Sequence, residues 1–238
     1  MRLIIRAVIA CICAVLVNLP GVSAAVWQRF DLLGNVVDDP ASFAVHADSG
    51  FKDLLQLAAY AKANPDAISV GTPGVGAPGH LAILMFAKLA GTNVNHVPFK
   101  GAGDVRAALA GRQIIVGAIS VGESFQSLRG GTPLRVLAQL SPGRTSLAPD
   151  LATAKEQGYD LEMSSLRGLA APKDLPVDIR TRLVKVVEQA AADPEFQAKS
   201  VQYYAPLRYL SPIQFEAALR EGDSQLRRLW KEMPWSEK

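Results

Sequence analysis

The chain has 238 residues, with 25 Lys and Arg against 22 Asp and Glu, and its two cysteines, Cys11 and Cys13, both lie close to the start. Near-balanced charge with no long basic run removes the electrostatic case for a nucleic-acid partner. A chain with no cysteine after residue 13 has no disulfide framework and no thiolate metal site beyond that point.

Arg2 and Arg6 form a basic n-region, residues 7–17 an apolar h-region, and Val22-Ser23-Ala24 and Ser23-Ala24-Ala25 both offer small residues for cleavage. The pattern predicts a secretory signal peptide over residues 1–24, cleaved near Ala24. A membrane anchor fits less well, because the apolar run is short and is broken by Asn18 and Pro20. Val8-Ile9-Ala10-Cys11 imitates a lipoprotein cleavage site but leaves almost no h-region after Arg6. Both cysteines would leave with the leader. Losing Arg2 and Arg6 leaves 23 basic residues against 22 acidic ones, a net charge of about +1. The remaining length suits one large domain or two small ones, and no later apolar run is long enough to span a bilayer.

In chain order, Phe43-Ala44-Val45 reads as a strand. Gly50 is an acceptable N-cap for a helix with Asp53 in its first turn, and Phe51, Leu54, Leu55 and Ala58 recur at helical spacing before Asn64-Pro65 stops it. Residues 67–70 read as a strand, 71–80 as a glycine-rich turn, and Leu81, Leu84, Met85 and Leu89 as the stripe of a helix ending at Gly91. A short strand is expected at 94–97, a short helix at 104–109, and strands at 114–119 and 134–140. Strands alternating with helices at this pitch predict βαβ units and an α/β fold with a mainly parallel sheet.

The last third reads as helical. Pro176 opens a helix with Ile179, Leu183, Val186, Val187 and Ala190 on one face, and Asp193-Pro194 caps a second. Ser211, Pro212 and Gln214 supply an N-cap, an N1 proline and a capping-box partner for a final helix. That helix should bury Phe215, Ala218, Leu219 and Leu226 and stop before Pro234. With no strand read there, this tail has to pack on something outside itself.

Catalytic constellations are scarce, and no enzyme is expected. His46, His80 and His96 lack metal-ligand spacing, and Ser120 lacks the first glycine of a nucleophile elbow, so it reads as an ordinary strand-end serine. The glycine turn is the one candidate site. Strand, glycine-rich turn and helix aim backbone N–H groups and the positive helix end at one point, a seat for an anion. Gly74, Gly76 and Gly79 stand at dinucleotide-fingerprint spacing, but no acid follows about 20 residues on, and Pro78 removes a donor. A tight turn with no ligand would need the same glycines.

Thr72, Gly74, Gly76, Pro78 and His80 resemble the central ligand-loop motif of the Bug family of periplasmic solute-binding proteins, the TctC receptors of tripartite tricarboxylate transporters. The likeness continues through His96-Val97-Pro98-Phe99-Lys100-Gly101, Leu109-Ala110-Gly111, Leu134-Arg135-Val136-Leu137-Ala138, Glu156-Gln157-Gly158, Gly168-Leu169-Ala170-Ala171-Pro172 and Ala192-Asp193-Pro194. It implies a two-lobed periplasmic-binding-protein architecture of type II-like form, with residues 26–43 and 164–238 as a partial first lobe and 44–163 as the second. It implies no cofactor, and a monomer that binds a small organic anion (a di- or tricarboxylate, or an acidic amino acid) and delivers it to a membrane permease. The ligand set carried over is Thr72, Gly74, Val75, Gly76, Ala77, Gly79, His80 and Lys100. For His80 a role in holding the turn stands beside that of anion donor, and for Lys100 a solvated position beside a ligand-facing one.

The chain also departs from the family. The opening βα units and their ligand-contacting turn have no counterpart between the leader and Trp27, which makes the first lobe truncated in this reading. Ala77 and Gly79 stand where Ser or Thr is usual, Ala118 near a position often Asp, and Leu166-Arg167 in place of an aromatic pair. Two alternatives stay open: a binding-incompetent or regulatory relative, and a nucleotide-dependent enzyme.

Overall fold

The computed structural model describes residues 11–13 and 25–235. Its elements in chain order are β1 (Cys11–Cys13), β2 (Phe30–His46), α1 (Leu54–Ala63), β3 (Ser69–Thr72), α2 (Pro78–Ala90), β4 (Asn95–Pro98), α3 (Ala102–Ala110) and β5 (Val116–Ser120). They continue with α4 (Val121–Arg129), β6 (Leu134–Gln139), β7 (Ser164–Pro172), α5 (Val177–Ala192), α6 (Pro194–Gln202), β8 (Leu207–Leu210) and α7 (Pro212–Glu232). Apart from the β1 strand, the leader expected over residues 1–24 lies outside the described residues. The chain divides into two compact units, Met1–Asp38 with Leu166–Pro234, and Asp39–Ser165 with Trp235–Lys238.

The unit around residues 39–165 is built on a sheet of order β6-β2-β5-β3-β4. The expected parallel pairing holds where helices cross over: β3 runs parallel to both β4 and β5. The second half of β2 departs from it and pairs antiparallel with β5 and β6. Alternation along each strand feeds two cores on opposite faces. Phe43, Val45, Val116 and Ala118 join Leu54 and Leu57 of α1 and Ile83 and Phe86 of α2 in one core. Ala44 and Ile119 join Val105 and Leu109 of α3 in the other. Phe43 and Phe86 meet edge to face at 5.5 Å between centroids. Each such large side chain contributes about 1.5–3 kcal/mol by leaving water, which fixes the helices to the sheet.

In the other unit the first half of β2 neighbours β7 and pairs antiparallel with β8, and β1 pairs antiparallel with β7. Leu32, Trp27 and Ala170 pack with Phe215 and Leu219 of α7, while Leu33 and Ala171 pack with Val187 of α5. Gly168 permits the close approach of α7, since a Cβ there would lie 2.5 Å from the Phe215 ring. The helices are thinly buried. Only Val187 of α5 is fully covered, Ala218 and Leu226 of α7 are half-buried, and no residue of α6 is buried. Ile179 and Val186, expected on the buried face, are exposed.

Several expected elements differ in extent. The strand read at Phe43 is the end of a 17-residue strand that passes through Pro40. Pro40 falls between the β8 ladder, which ends at Val37, and the β5 ladder, which begins at Ala41. α1 is capped by Asp53, whose side chain accepts from Gln56 N–H, and not by Gly50. α4 was not anticipated. Ser120, read as an ordinary strand-end serine, is its N-cap and forms a capping box with Glu123. The C-terminal third, expected to lack strands, contributes β7 and β8. β8 is four residues long and takes its conformation from pairing with β2, a contact too distant to read locally.

Candidate functional site

β3 lies between β4 and β5, with Val70 opposite both His96 and Val116. Its C-terminal end opens into a turn over residues 73–77, and α2 follows at Pro78. In α/β sheets the carboxyl ends of parallel strands are where ligands bind. Gly74 has φ +145° and Gly76 φ +77°, in the region that favours glycine. Ala77 is the N-cap of α2 and offers no side-chain cap, and Pro78 occupies the first turn. The first i→i−4 bond runs from Leu81 N–H to Ala77 O at 3.1 Å. The N–H groups of Gly79 and His80 precede it and sit at the positive end of the helix dipole.

A compact hydrogen-bond set shapes the turn. Thr72, fully buried, donates its hydroxyl to Gly74 O at 3.2 Å and lies 2.7 Å from His96 Nε2. Ala77 N–H donates to Gly74 O at 3.3 Å, and Gly76 N–H donates to His80 Nδ1 at 3.0 Å. The His80 and His96 rings stack at 4.1 Å with 19° between planes, and Trp235 stands edge-on to His80 at 6.4 Å. Burial, and secondarily the neighbouring His96, push His80 down to about 4, and burial also lowers His96. His80 is therefore neutral at neutral pH, with its proton on Nε2 because Nδ1 accepts.

The structure brings most of the anticipated residues into this one turn. Thr72 ends β3, Gly74, Val75, Gly76 and Ala77 form the turn, and Gly79 and His80 open α2. Phe99 N–H bonds Thr72 O at 2.9 Å, and a Cβ on Gly74 would stand 3.6 Å from Phe99 O, so the segment carrying exposed Lys100 runs beside it. The Thr72 hydroxyl and Gly76 N–H are committed inside the turn. Gly79 faces β5, where a Cβ would fall 2.0 Å from Ala118 O, so this backbone has no room for the hydroxyl side chain usual in the family. His96 and Trp235 were not among the anticipated site residues. The sequence signal for His96 is its place in the 96–101 segment that carries the family resemblance, and the pairing of that strand with β3, Thr72 opposite Pro98, brings it to the turn.

A second helix start lies at the C-terminal end of neighbouring β5. There the α4 capping box is joined by buried Asp39, whose Oδ1 accepts from Gly122 N–H at 3.1 Å. Its first-turn donors are thus served by side chains of the chain itself. Among the described residues no cluster of three or more His, Cys, Asp or Glu could hold a metal ion.

Residues 18–205 match the tripartite tricarboxylate transporter family receptor family, TctC. An Agrobacterium vitis UPF0065 protein from the TAR-I ttuE-ttuC' intergenic region is 28% identical over 168 residues, which is 70% of this chain and 48% of that protein. The chain thus spans about half the length of this relative. The solved periplasmic binding protein BugD is 30% identical, with TM-score 0.74 over 85% of this chain and 69% of BugD. An R. palustris protein solved with adipate, 22% identical, shares the fold, with TM-score 0.78 over 85% of this chain and 68% of that one. On the match to residues 18–205 and the likeness to BugD, the chain belongs to the tripartite tricarboxylate transporter receptor (TctC) family.

Proposed function

We propose that this protein is an exported solute-binding receptor that captures a small carboxylate and presents it to the membrane permease of a tripartite tricarboxylate transporter. The observation that carries the reading is the start of α2. Its first-turn N–H groups have no side-chain cap and stand at the carboxyl end of the parallel strands, in a member of a receptor family. Fixed N–H donors stabilise a carboxylate without the desolvation cost of burying an opposing cation. Val75 and the N–H groups of Gly79 and His80 are the parts of the turn that meet the anion, with Lys100 at its margin. Adipate in the R. palustris relative supports a dicarboxylate as the class to try first.

The test is thermal unfolding of the chain with adipate, citrate, aspartate and NAD added separately. A ligand at 100 times its Kd stabilises by about 2.7 kcal/mol, which raises Tm by roughly 5–10 °C at this size. A rise with one or more carboxylates and none with NAD is expected. A rise with NAD alone overturns the receptor reading in favour of a nucleotide site, and no rise favours a binding-incompetent relative.

A further inference from the structure

Two imidazoles are built into the turn, and each holds one of its two left-handed glycines. His80, 4% exposed, accepts Gly76 N–H on Nδ1 at 3.0 Å. The Thr72 hydroxyl lies 3.2 Å from Gly74 O and shares a 2.7 Å hydrogen bond with His96 Nε2, whose direction follows the His96 tautomer. His80 therefore fixes the N–H of Gly76 directly, and His96 fixes the carbonyl of Gly74 through Thr72. The stacked rings, 4.1 Å apart, tie the two restraints together.

Resting on the reading of this turn as the anion seat, we propose that His80 and His96 are its positioning residues. They hold it in binding geometry only while His80 is neutral, so protonating His80 unseats the ligand. The reason is local. A proton on His80 Nδ1 would turn the bond from Gly76 into two donors facing each other at 3.0 Å, and would place a cation against the His96 ring. Among the described residues no carboxylate bonds either ring, and Asp39 and Glu123 at the end of neighbouring β5 are engaged with Gly122 N–H and with Ser120. β3 and β5, packed around the turn, have no ionisable side chain, β4 contributes only His96, and Trp235 presents an uncharged indole edge. On α2 the other ionisable residue is Lys88, about two turns further along. Burial keeps His80 neutral down to about pH 4, so the latch is closed throughout the neutral range.

The opposite sign is the obvious competitor, because an imidazolium beside an anion seat would be expected to strengthen binding. His80→Asn separates the two, since its Oδ1 can take the place of Nδ1 as acceptor and does not titrate. At pH 7, His80→Asn, which keeps an acceptor for Gly76 N–H, should bind adipate or citrate about tenfold more tightly than His80→Ala, which has none. As pH falls from 6.5 through 4, the unaltered protein should lose affinity relative to His80→Asn, the carboxylates' own titration being common to both. Affinity that rises relative to His80→Asn, or His80→Ala binding undiminished, overturns the proposal.

The ligand-free protein supplies an independent readout by NMR. The Gly76 amide resonance should move with the His80 imidazole titration, with its midpoint near pH 4, and stay still in His80→Asn. A Gly76 amide indifferent to that titration overturns the latch whether or not any carboxylate binds. If no carboxylate binds while Gly76 follows His80, the receptor reading fails and the pair stands as the holder of the turn.

Discussion

Individual side chains and backbone atoms set the chemistry of the turn. His80 illustrates how burial decides protonation: its folded value of about 4 lies below the ordinary 6.5, so between those values the unfolded chain binds more protons. The resulting stability is complete above about pH 6.5 and is lost as pH falls through 4. Melting the unaltered protein and His80→Asn from pH 7 to 4 should show Tm declining more steeply in the former. Gly79 makes a second point. The family resemblance suggests that restoring a hydroxyl residue would restore a ligand contact. The position of Ala118 O predicts the reverse: Gly79→Ser forces α2 away from β5, destabilises by about 3 kcal/mol in urea titration, and does not improve carboxylate binding.

Helix ends show which elements could be read locally. Asp193-Pro194 and Ser211-Pro212-Gln214 were legible as caps, and each side chain accepts the expected N–H, from Phe196 and Gln214 respectively. Ser120 and Glu123 have the same spacing. The capping box they form is a stronger local signal than the strand-end reading of Ser120. Ser120→Ala should cost about 1 kcal/mol, read from denaturant midpoints, while leaving ligand-induced shifts in Tm unchanged. β2 and β8 were not legible to the same degree. Pro40 and Gly34 punctuate β2 like loop residues, and its continuity depends on ladders to strands far away in sequence.

For the molecule as a whole, burial is unequally shared. The unit around residues 39–165 has two cores facing its sheet, whereas α6 has no buried residue and α5 has only Val187. Val177, Val186, Val201 and Ile213 are all more than half exposed. Few buried apolar contacts mean low local stability. Native-state hydrogen exchange should therefore find amides of α5 and α6 exchanging well before those of β3, β5 and α2. Equal protection across both units would contradict this ranking.

The sequence by itself determined the α/β alternation, most helix ends and the family, because these signals lie within a few residues or in ordered short motifs. It also marked the glycine turn between Val70 and Leu81 as the one candidate site, since glycines and a following helix are local facts. Only the tertiary structure decided which groups in that turn are spent on holding it. Parallel pairing of β3 with β4 places His96 against Thr72 and His80, and pairing with β5 places Ala118 O under Gly79. Those contacts come from strands separated by whole helices in the chain, and no periodicity or spacing along the sequence encodes their distances.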